Sequence, residues 1–363
     1  MKMRVCVLCG GKSEEHEVSL QSARNIINAL DRARYEVMVI GIDKQGRWAL
    51  YDPSDFLLHP GDPKRISLGK AMDEVTIVPG DPRDPILTKG GDSLGRIDVV
   101  FPVLHGPYGE DGTVQGLLEL AGIPFVGAGV LGSSVGMDKD VMKRLLRDAD
   151  IPIGMFIVHC AWERDEIRPD EIVAKLGLPL FVKPARYGSS IGISKVVDVG
   201  DLQRAIDTAF EFDEKIVIEE YIEGREIECS VLGNNDPVAS LPGEIVPRRD
   251  FYSYEAKYID EDGALLKAPA NLDPRLVEKV KELAIRSYRV LCCEGMARVD
   301  MFLKKNNEIL VNEINTIPGF TRISMYPRLW EESGIPYGEL MDRLIELALE
   351  RPGGHPKAWH PGS

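Results

Sequence analysis

Two apolar, β-prone runs near the C-terminal end carry the residues best placed to do chemistry. They are Ala297-Arg298-Val299-Asp300-Met301-Phe302 and Leu310-Val311-Asn312-Glu313-Ile314-Asn315, separated by Lys304-Lys305-Asn306-Asn307-Glu308, a turn signal. A tight turn at Asn306-Asn307, whose residues tolerate φ > 0, pairs the runs as an antiparallel hairpin. Asp300 then faces Glu313, Arg298 faces Asn315, and alternation puts all four on one face. Opposed carboxylates in a mostly apolar sheet repel and lose hydration unless a cation lies between them. Asp, Glu and Asn with no His or Cys nearby form an all-oxygen set, suited to Mg²⁺ or Mn²⁺ rather than zinc. The competing reading is a salt-bridged surface face on which Arg298 neutralises Asp300.

A second group of residues suits phosphate. Phe181-Val182-Lys183-Pro184 ends a strand on a lysine, and Arg186-Tyr187-Gly188-Ser189-Ser190-Ile191-Gly192 follows as a flexible loop. Successive N–H groups in such a loop can cradle an anion without a helix; the alternative is a β-turn beside a solvated lysine. Mg²⁺ commonly keeps substrate phosphates among its ligands, so loop and hairpin explain each other. Ile216 to Glu226 runs from an apolar strand into Glu219-Glu220-Tyr221-Ile222-Glu223-Gly224. It reads either as an ordinary strand end or as a hinge gripping a base and ribose. Near the N-terminus, Glu14-Glu15-His16 lie between Gly10-Gly11 and the first helix, on the side where open α/β sheets bind ligands. The loop His105 to Gly112 is a second such segment. For both, helix capping by Ser13 and Asp111 is the simpler reading, with His105 a core histidine.

Two partial fingerprints fail. Gly10-Gly11-Lys12-Ser13 ends like a P-loop, but the required glycine five residues before Gly11 is Cys6. Gly127-Ala128-Gly129-Val130-Leu131-Gly132 matches G-x-G-x-x-G, yet it falls outside the first βα unit. Ser133-Ser134-Val135-Gly136 is also expected to delay the helix after it.

The elements that must position these residues read as follows. Strands at Val5–Leu8, Tyr35–Ile42 and Val99–Leu104 alternate with helices at Ser19–Leu30 and Thr113–Ala121, the pattern of a parallel α/β sheet. The Pro-, Gly- and Asp-rich text between Asp43 and Arg96 suggests turns around one or two short peripheral strands. A second unit opens near Met137-Asp138-Lys139 with a helix to Asp148, strand Leu180–Lys183, helix Leu202–Phe212 and strand Lys215–Glu219. A third has strands Glu226–Leu232 and Gly243–Val246, helix Arg275–Leu291, the hairpin, and helix Gly338–Leu349. The expected boundaries are 1–136, 137–220 and 221–350, with a frayed tail at 351–363.

With 363 residues, 44% of them apolar and 28% charged, the chain suits a globular protein of two or three domains. No apolar run is long enough for a membrane span, and the first residues lack the features of a signal peptide. Six cysteines without metal or redox spacing point to reduced, buried thiols in a cytoplasmic protein. A net charge of −14 argues against nonspecific nucleic-acid binding. It also requires any polyphosphate site to concentrate cations locally.

Taken in order, these segments resemble the D-alanine–D-alanine ligases of the ATP-grasp superfamily, over Gly10 to about Leu349. Gly10-Gly11-Lys12-Ser13-Glu14-Glu15-His16-Glu17-Val18-Ser19, His105-Gly106 with Gly109-Glu110-Asp111-Gly112, and Met137-Asp138-Lys139 carry the likeness. So do Val182 to Gly192, Tyr254-Glu255-Ala256-Lys257-Tyr258, the hairpin, and Asn315-Thr316-Ile317-Pro318-Gly319. The resemblance implies a three-domain ATP-grasp architecture, α/β and α+β, with an N-terminal parallel α/β domain. It implies ATP-dependent ligation of two D-alanines through a D-alanyl phosphate, for peptidoglycan precursors, by a cytoplasmic homodimer. Close relatives use D-lactate or D-serine as second substrate.

The site residues follow from the same likeness. Glu15 would hold the first substrate's ammonium, linked to Ser189 and Tyr258, with His105 lining that pocket. Lys139, Lys183 and Lys257 would contact phosphates beside Ser190 of the loop, and Glu219, Glu220, Tyr221, Ile222 and Glu226 the adenine and ribose. Asp300, Glu313 and Asn315 would bind two Mg²⁺ (or Mn²⁺) ions. Arg298 and the Gly319 N–H would stabilise an oxyanion, and Ser324 and Met325 would meet the second D-alanine.

Overall fold

Val5, Val7 and Cys9 alternate with Cys6 and Leu8 along strand Met3–Gly10, and both sets are buried. A strand covered on both faces belongs at the centre of an α/β sheet. In the computed structural model, which describes residues 2–80, 83–247 and 264–351, it pairs in parallel with Tyr35–Ile42 on one side and Val99–Val103 on the other. Helix His16–Ala29 packs Leu20, Ala23, Ile26 and Ile27 against one face, and helix Thr113–Leu120 packs Val114 and Leu118 against the other. The segment after Asp43 holds more strand than the sequence suggests. Trp48–Tyr51, Asp73–Ile77 and Ile86–Thr88 extend the sheet in antiparallel fashion, and Leu57–Leu58 pairs with Ser67–Leu68. Short strands interrupted by Pro and Gly give too little alternation to read.

The middle sheet runs Ser194–Val196, Leu180–Pro184, Lys215–Glu220, Phe156–Cys160, antiparallel throughout. Leu180, Val182, Ile216 and Ile218 meet Ala205, Ile206 and Ala209 of helix Leu202–Phe210. Phe181, Lys183 and Glu219 therefore point to the opposite face.

In the C-terminal sheet, strand Arg225–Leu232 lies between Gly243–Pro247 and Met296–Leu303, with Ala264–Lys267 and Ile309–Asn315 at the edges. Ile227, Cys229, Val231, Ala297 and Val299 pack under helix Pro274–Val290. Met142 and Leu146 of helix Lys139–Asp148 join the same core. Alternation leaves Glu226, Glu228, Arg298 and Asp300 on the other face. The final helix, Tyr337–Glu350, returns to the first sheet: Leu340, Leu344 and Ile345 share a core with Val5 and Leu20.

Four local expectations are corrected. Helix Val130–Met137 starts directly after Gly129 and includes Ser133 to Gly136, so those residues do not delay it. Gly132 within it lies against the Cys292 backbone, which favours a packing role for these glycines. Ser13 caps no helix; its hydroxyl donates to the His105 carbonyl at 2.6 Å, while Asp111 does accept from Thr113 N. Cys292 is exposed and Cys160 half-buried, whereas Cys6, Cys9, Cys229 and Cys293 are buried. The hairpin turn is the fourth. Lys304 N donates to Glu308 O at 2.9 Å, and Asn307 alone of the asparagine pair has positive φ (64°). That is a three-residue loop ending in a left-handed residue rather than a two-residue turn.

Candidate active site

A three-residue loop shifts the hairpin register by one residue from that of a two-residue turn, which would throw Asp300 and Glu313 out of opposition. The structure undoes this shift with a bulge. Met301 pairs with Val311, but Asp300 pairs with Glu313 and Arg298 with Asn315, so Asn312 is the extra residue. On its other side Asp300 pairs with Glu228 of strand Arg225–Leu232. Glu228, Asp300 and Glu313 thus form a carboxylate row across three strands. Arg298 donates to Asp300 through Nε and Nη2, both at 2.7 Å. Asn315 Nδ2 donates to Asp300 at 3.0 Å. In this state Arg298 neutralises Asp300, as the salt-bridge reading has it. Among the described residues no group of three or more His, Cys, Asp or Glu is placed to hold a metal ion. The all-oxygen donors of the row, rich in carboxylate against one arginine, nonetheless fit a hard divalent cation.

Facing the row, the middle sheet supplies cations. Lys183 Nζ lies 2.7 Å from Glu219 Oε2 and Lys143 Nζ 3.3 Å from Oε1. Burial pushes the Glu219 carboxyl up, but the two lysines outweigh it and hold it at about 2. For Lys183 burial acts downward, and Glu219 with Glu313 turns the net shift upward. Burial leaves Lys139 lowered; its Nζ donates to the Tyr187 carbonyl at 2.6 Å. Asp138 caps the helix that carries Lys139, which fixes where that lysine starts.

The loop after Pro184 is held at several points. Arg186 forks onto Asp213, Tyr187 packs edge-on against Phe212, and Ser189 donates to Glu15. Ser189 and Ser190 both adopt left-handed backbone (φ 51° and 63°), a cost of about 1–2 kcal/mol each for residues with a Cβ. Strain of this kind collects where a loop is shaped for a ligand.

His105 and Glu110 close the end beside Glu15. His105 Nδ1 lies 3.1 Å from the Ile317 carbonyl, and burial pulls its imidazole down to about 4. The acceptor carbonyl puts the proton on Nδ1. Glu110 accepts from the N–H groups of Gly106 and Ile317 at 2.8 and 3.2 Å. Burial, reinforced by Glu15, raises its carboxyl to about 8.

One cleft of about 550 Å³ joins these parts. Glu15, His105, Lys139, Lys183, Ser189, Ser190, Glu219, Glu220, Tyr221, Ile222, Glu226, Arg298, Asp300, Glu313, Asn315, Gly319, Ser324 and Met325 all line it. Tyr258 and Lys257 lie outside the described residues, as do residues 352–363 of the expected tail. Sequence reasoning quoted Glu110 and Phe181 within motifs without giving them a role and passed over Lys195 and Glu228, all four of which line the cleft, and Lys143, which pairs with Glu219. The signal for Glu228 was its spacing of two from Glu226. Lys143 sits one helical turn after Lys139, on the same face.

A mixed N-terminal sheet followed by two antiparallel sheets, with a lysine- and carboxylate-lined cleft between them, defines an ATP-grasp fold. The family described as "D-ala D-ala ligase N-terminus" matches residues 4–128, and "D-ala D-ala ligase C-terminus" matches 145–346. The D-alanine–D-alanine ligase of Oceanobacillus iheyensis is 53% identical, over 97% of this chain and 96% of that protein. D-alanine–D-alanine ligase A of Escherichia coli K12 is also 53% identical, over 96% of both. Among solved structures, a D-alanine–D-alanine ligase from Coxiella burnetii superposes with TM-score 0.85 at 42% identity, covering 96% of this chain and 94% of that one. VanG D-Ala:D-Ser ligase from Enterococcus faecalis also superposes with TM-score 0.85, at 36% identity, over 96% and 100%. The chain belongs to the D-alanine–D-alanine ligase family.

Proposed function

We propose that this chain joins two molecules of D-alanine into D-alanyl-D-alanine, converting ATP to ADP and phosphate. The observation that carries the reading is that one cleft holds a buried lysine cluster, an opposed carboxylate row and the Glu15–Ser189 pair. A phosphate site, a cation site and an ammonium site thereby share one space.

A carboxylate resists attack by an amine, so it must first acquire a leaving group. The first D-alanine's carboxylate oxygen attacks the γ-phosphorus of ATP, the bond to the bridging oxygen breaks, and ADP departs. The second D-alanine's amine then attacks the acyl phosphate carbonyl. The tetrahedral intermediate expels phosphate as the amine loses its proton.

In this reading Glu15 binds the first ammonium, oriented by Ser189 and Tyr258, with His105 at its side. Lys139, Lys183 and Lys257 meet the phosphates, with Ser190 in the loop over them. Glu219, Glu220, Tyr221, Ile222 and Glu226 take the adenosine. Arg298 and the Gly319 N–H stabilise the oxyanion, worth roughly 3–4 kcal/mol per donor. Ser324 and Met325 receive the second D-alanine. Asp300, Glu313 and Asn315 would hold two Mg²⁺ or Mn²⁺ ions, which when bound offset phosphate charge. The loop Gly188–Gly192 excludes water that would hydrolyse the acyl phosphate.

The reading extends to domains at 1–136, 137–220 and 221–350, and to a homodimer working in the cytoplasm on peptidoglycan precursors. Among the described residues no helix is long and apolar enough to cross a membrane. A D-Ala:D-Ser ligase among the structural neighbours keeps D-serine, and likewise D-lactate, as alternative second substrates. Phosphate release from ATP with D-alanine alone, and with D-lactate or D-serine added, tests the choice. Release with D-alanine alone is expected; release only after adding D-lactate or D-serine would reject it.

A further inference from the structure

We propose that Glu228 is a positioning residue for Arg298, holding its guanidinium over the cleft when Asp300 engages a cation. The inference rests on the ligase reading, which gives Arg298 the oxyanion and Asp300 the metal.

The backbone puts Glu228 and Asp300 directly opposite each other on neighbouring strands. Arg298, two residues before Asp300 on the same face, extends its guanidinium to both. Its Nε–H and one Nη2–H are directed at the two oxygens of Asp300, each at 2.7 Å. Glu228 Oε2 stands 3.1 Å from the same Nε. All three side chains are largely shielded, at 17%, 11% and 15% exposure for Arg298, Glu228 and Asp300.

A carboxylate that coordinates a cation has less charge and fewer lone pairs to offer an arginine. With Asp300 as sole counter-ion, Arg298 would lose its anchor at the moment it must point at the reacting carboxylate. Its long side chain would then regain rotamer freedom. A second carboxylate at the same nitrogen, rooted on a different strand, removes that conflict. Glu228 thus acts through Arg298.

A double-mutant cycle on the full chain tests this. Glu228→Ala should lower kcat about tenfold or more, with the KM for ATP within about twofold. In an Arg298→Ala background the same change should cost less than about twofold. Equal losses in both backgrounds would overturn the proposal. Glu228→Gln, of the same shape, is taken through the same cycle in case the alanine variant folds poorly. Mn²⁺ affinity, measured by electron paramagnetic resonance with a nonhydrolysable ATP analogue, should stay within about twofold of wild type in Glu228→Gln. A tenfold weakening would make Glu228 a metal ligand instead and overturn the positioning role. No D-alanine-dependent phosphate release by the wild type would reject the ligase reading itself, whereas additive losses in an active enzyme reject only the role of Glu228.

Discussion

Ser189 donates its hydroxyl hydrogen bond to Glu15, tying the loop of the middle sheet to the start of the first helix across the cleft. That bond links two segments 174 residues apart, and in the proposed reading it orients the carboxylate that receives the substrate ammonium. Hydrogen bonds to charged groups contribute about 1.5–3 kcal/mol. Ser189→Ala should therefore raise the KM for the first D-alanine roughly ten- to a hundredfold. Thermal stability should fall too, by about 1–3 kcal/mol, because Glu15 lines the cleft yet is only 4% exposed. Steady-state kinetics over a wide D-alanine range check this; an unchanged KM would mean the bond only closes the loop.

Glu313→Gln keeps the size of the side chain and removes its charge from the row opposite Asp300. Turnover should fall by roughly a hundredfold or more, the scale of a lost metal contact. The melting temperature should move by only a few degrees. Titrating Mg²⁺ against rate is the check. Wild-type rates at low Mg²⁺ would remove Glu313 from the metal site.

His105 gives a pH-dependent stability of definite sign. Burial lowers its folded-state value to about 4, below the ordinary range near 6.5. Between those limits the unfolded chain binds more protons, so stability falls as pH drops through the window and returns as pH rises. His105→Asn can still donate to the Ile317 carbonyl but cannot protonate. Relative to it, the wild type should lose about 2–3 kcal/mol between pH 7 and 4.5. Urea unfolding of both proteins at the two pH values measures the gap, and a gap independent of pH would refute buried neutral His105.

Lys183→Met breaks one arm of the ion pairs around Glu219. Removing one partner of a buried pair costs about 3–5 kcal/mol, and Lys143, 3.3 Å from the other oxygen, should hold the loss near the lower end. The KM for ATP should rise at least tenfold if Lys183 also meets phosphate. Denaturant melts and nucleotide titration separate the effects: lost stability with unchanged ATP binding would assign Lys183 to structure alone.

The hairpin was legible because alternation and a turn signal constrain each other over eighteen residues. Its facing pairs were right although the turn was not: the extra loop residue at Asn307 and the bulge at Asn312 cancel. Local propensity cannot see such compensation, since a bulge is fixed by packing on the neighbouring strand. Glu228 was hidden for a related reason. Its face follows from Glu226, but opposition to Asp300 depends on pairing between strands some seventy residues apart in sequence. The strands after Asp43 were too short to show a period. The return of helix Tyr337–Glu350 to the first sheet puts Leu340 and Leu344 in one core with Val5, a placement that amphipathicity alone does not direct. Motif resemblance and the hairpin's alternation together named eighteen of the cleft-lining residues in advance, because a motif brings long-range placement with it where local pattern does not.

Identifying the product tests the central claim most directly. Incubation of the chain with ATP, Mg²⁺ and D-alanine, followed by mass spectrometry and chiral chromatography, should yield D-alanyl-D-alanine with one ADP and one phosphate per dipeptide. Absence of the dipeptide, or ATP turnover indifferent to D-alanine, would contradict the account.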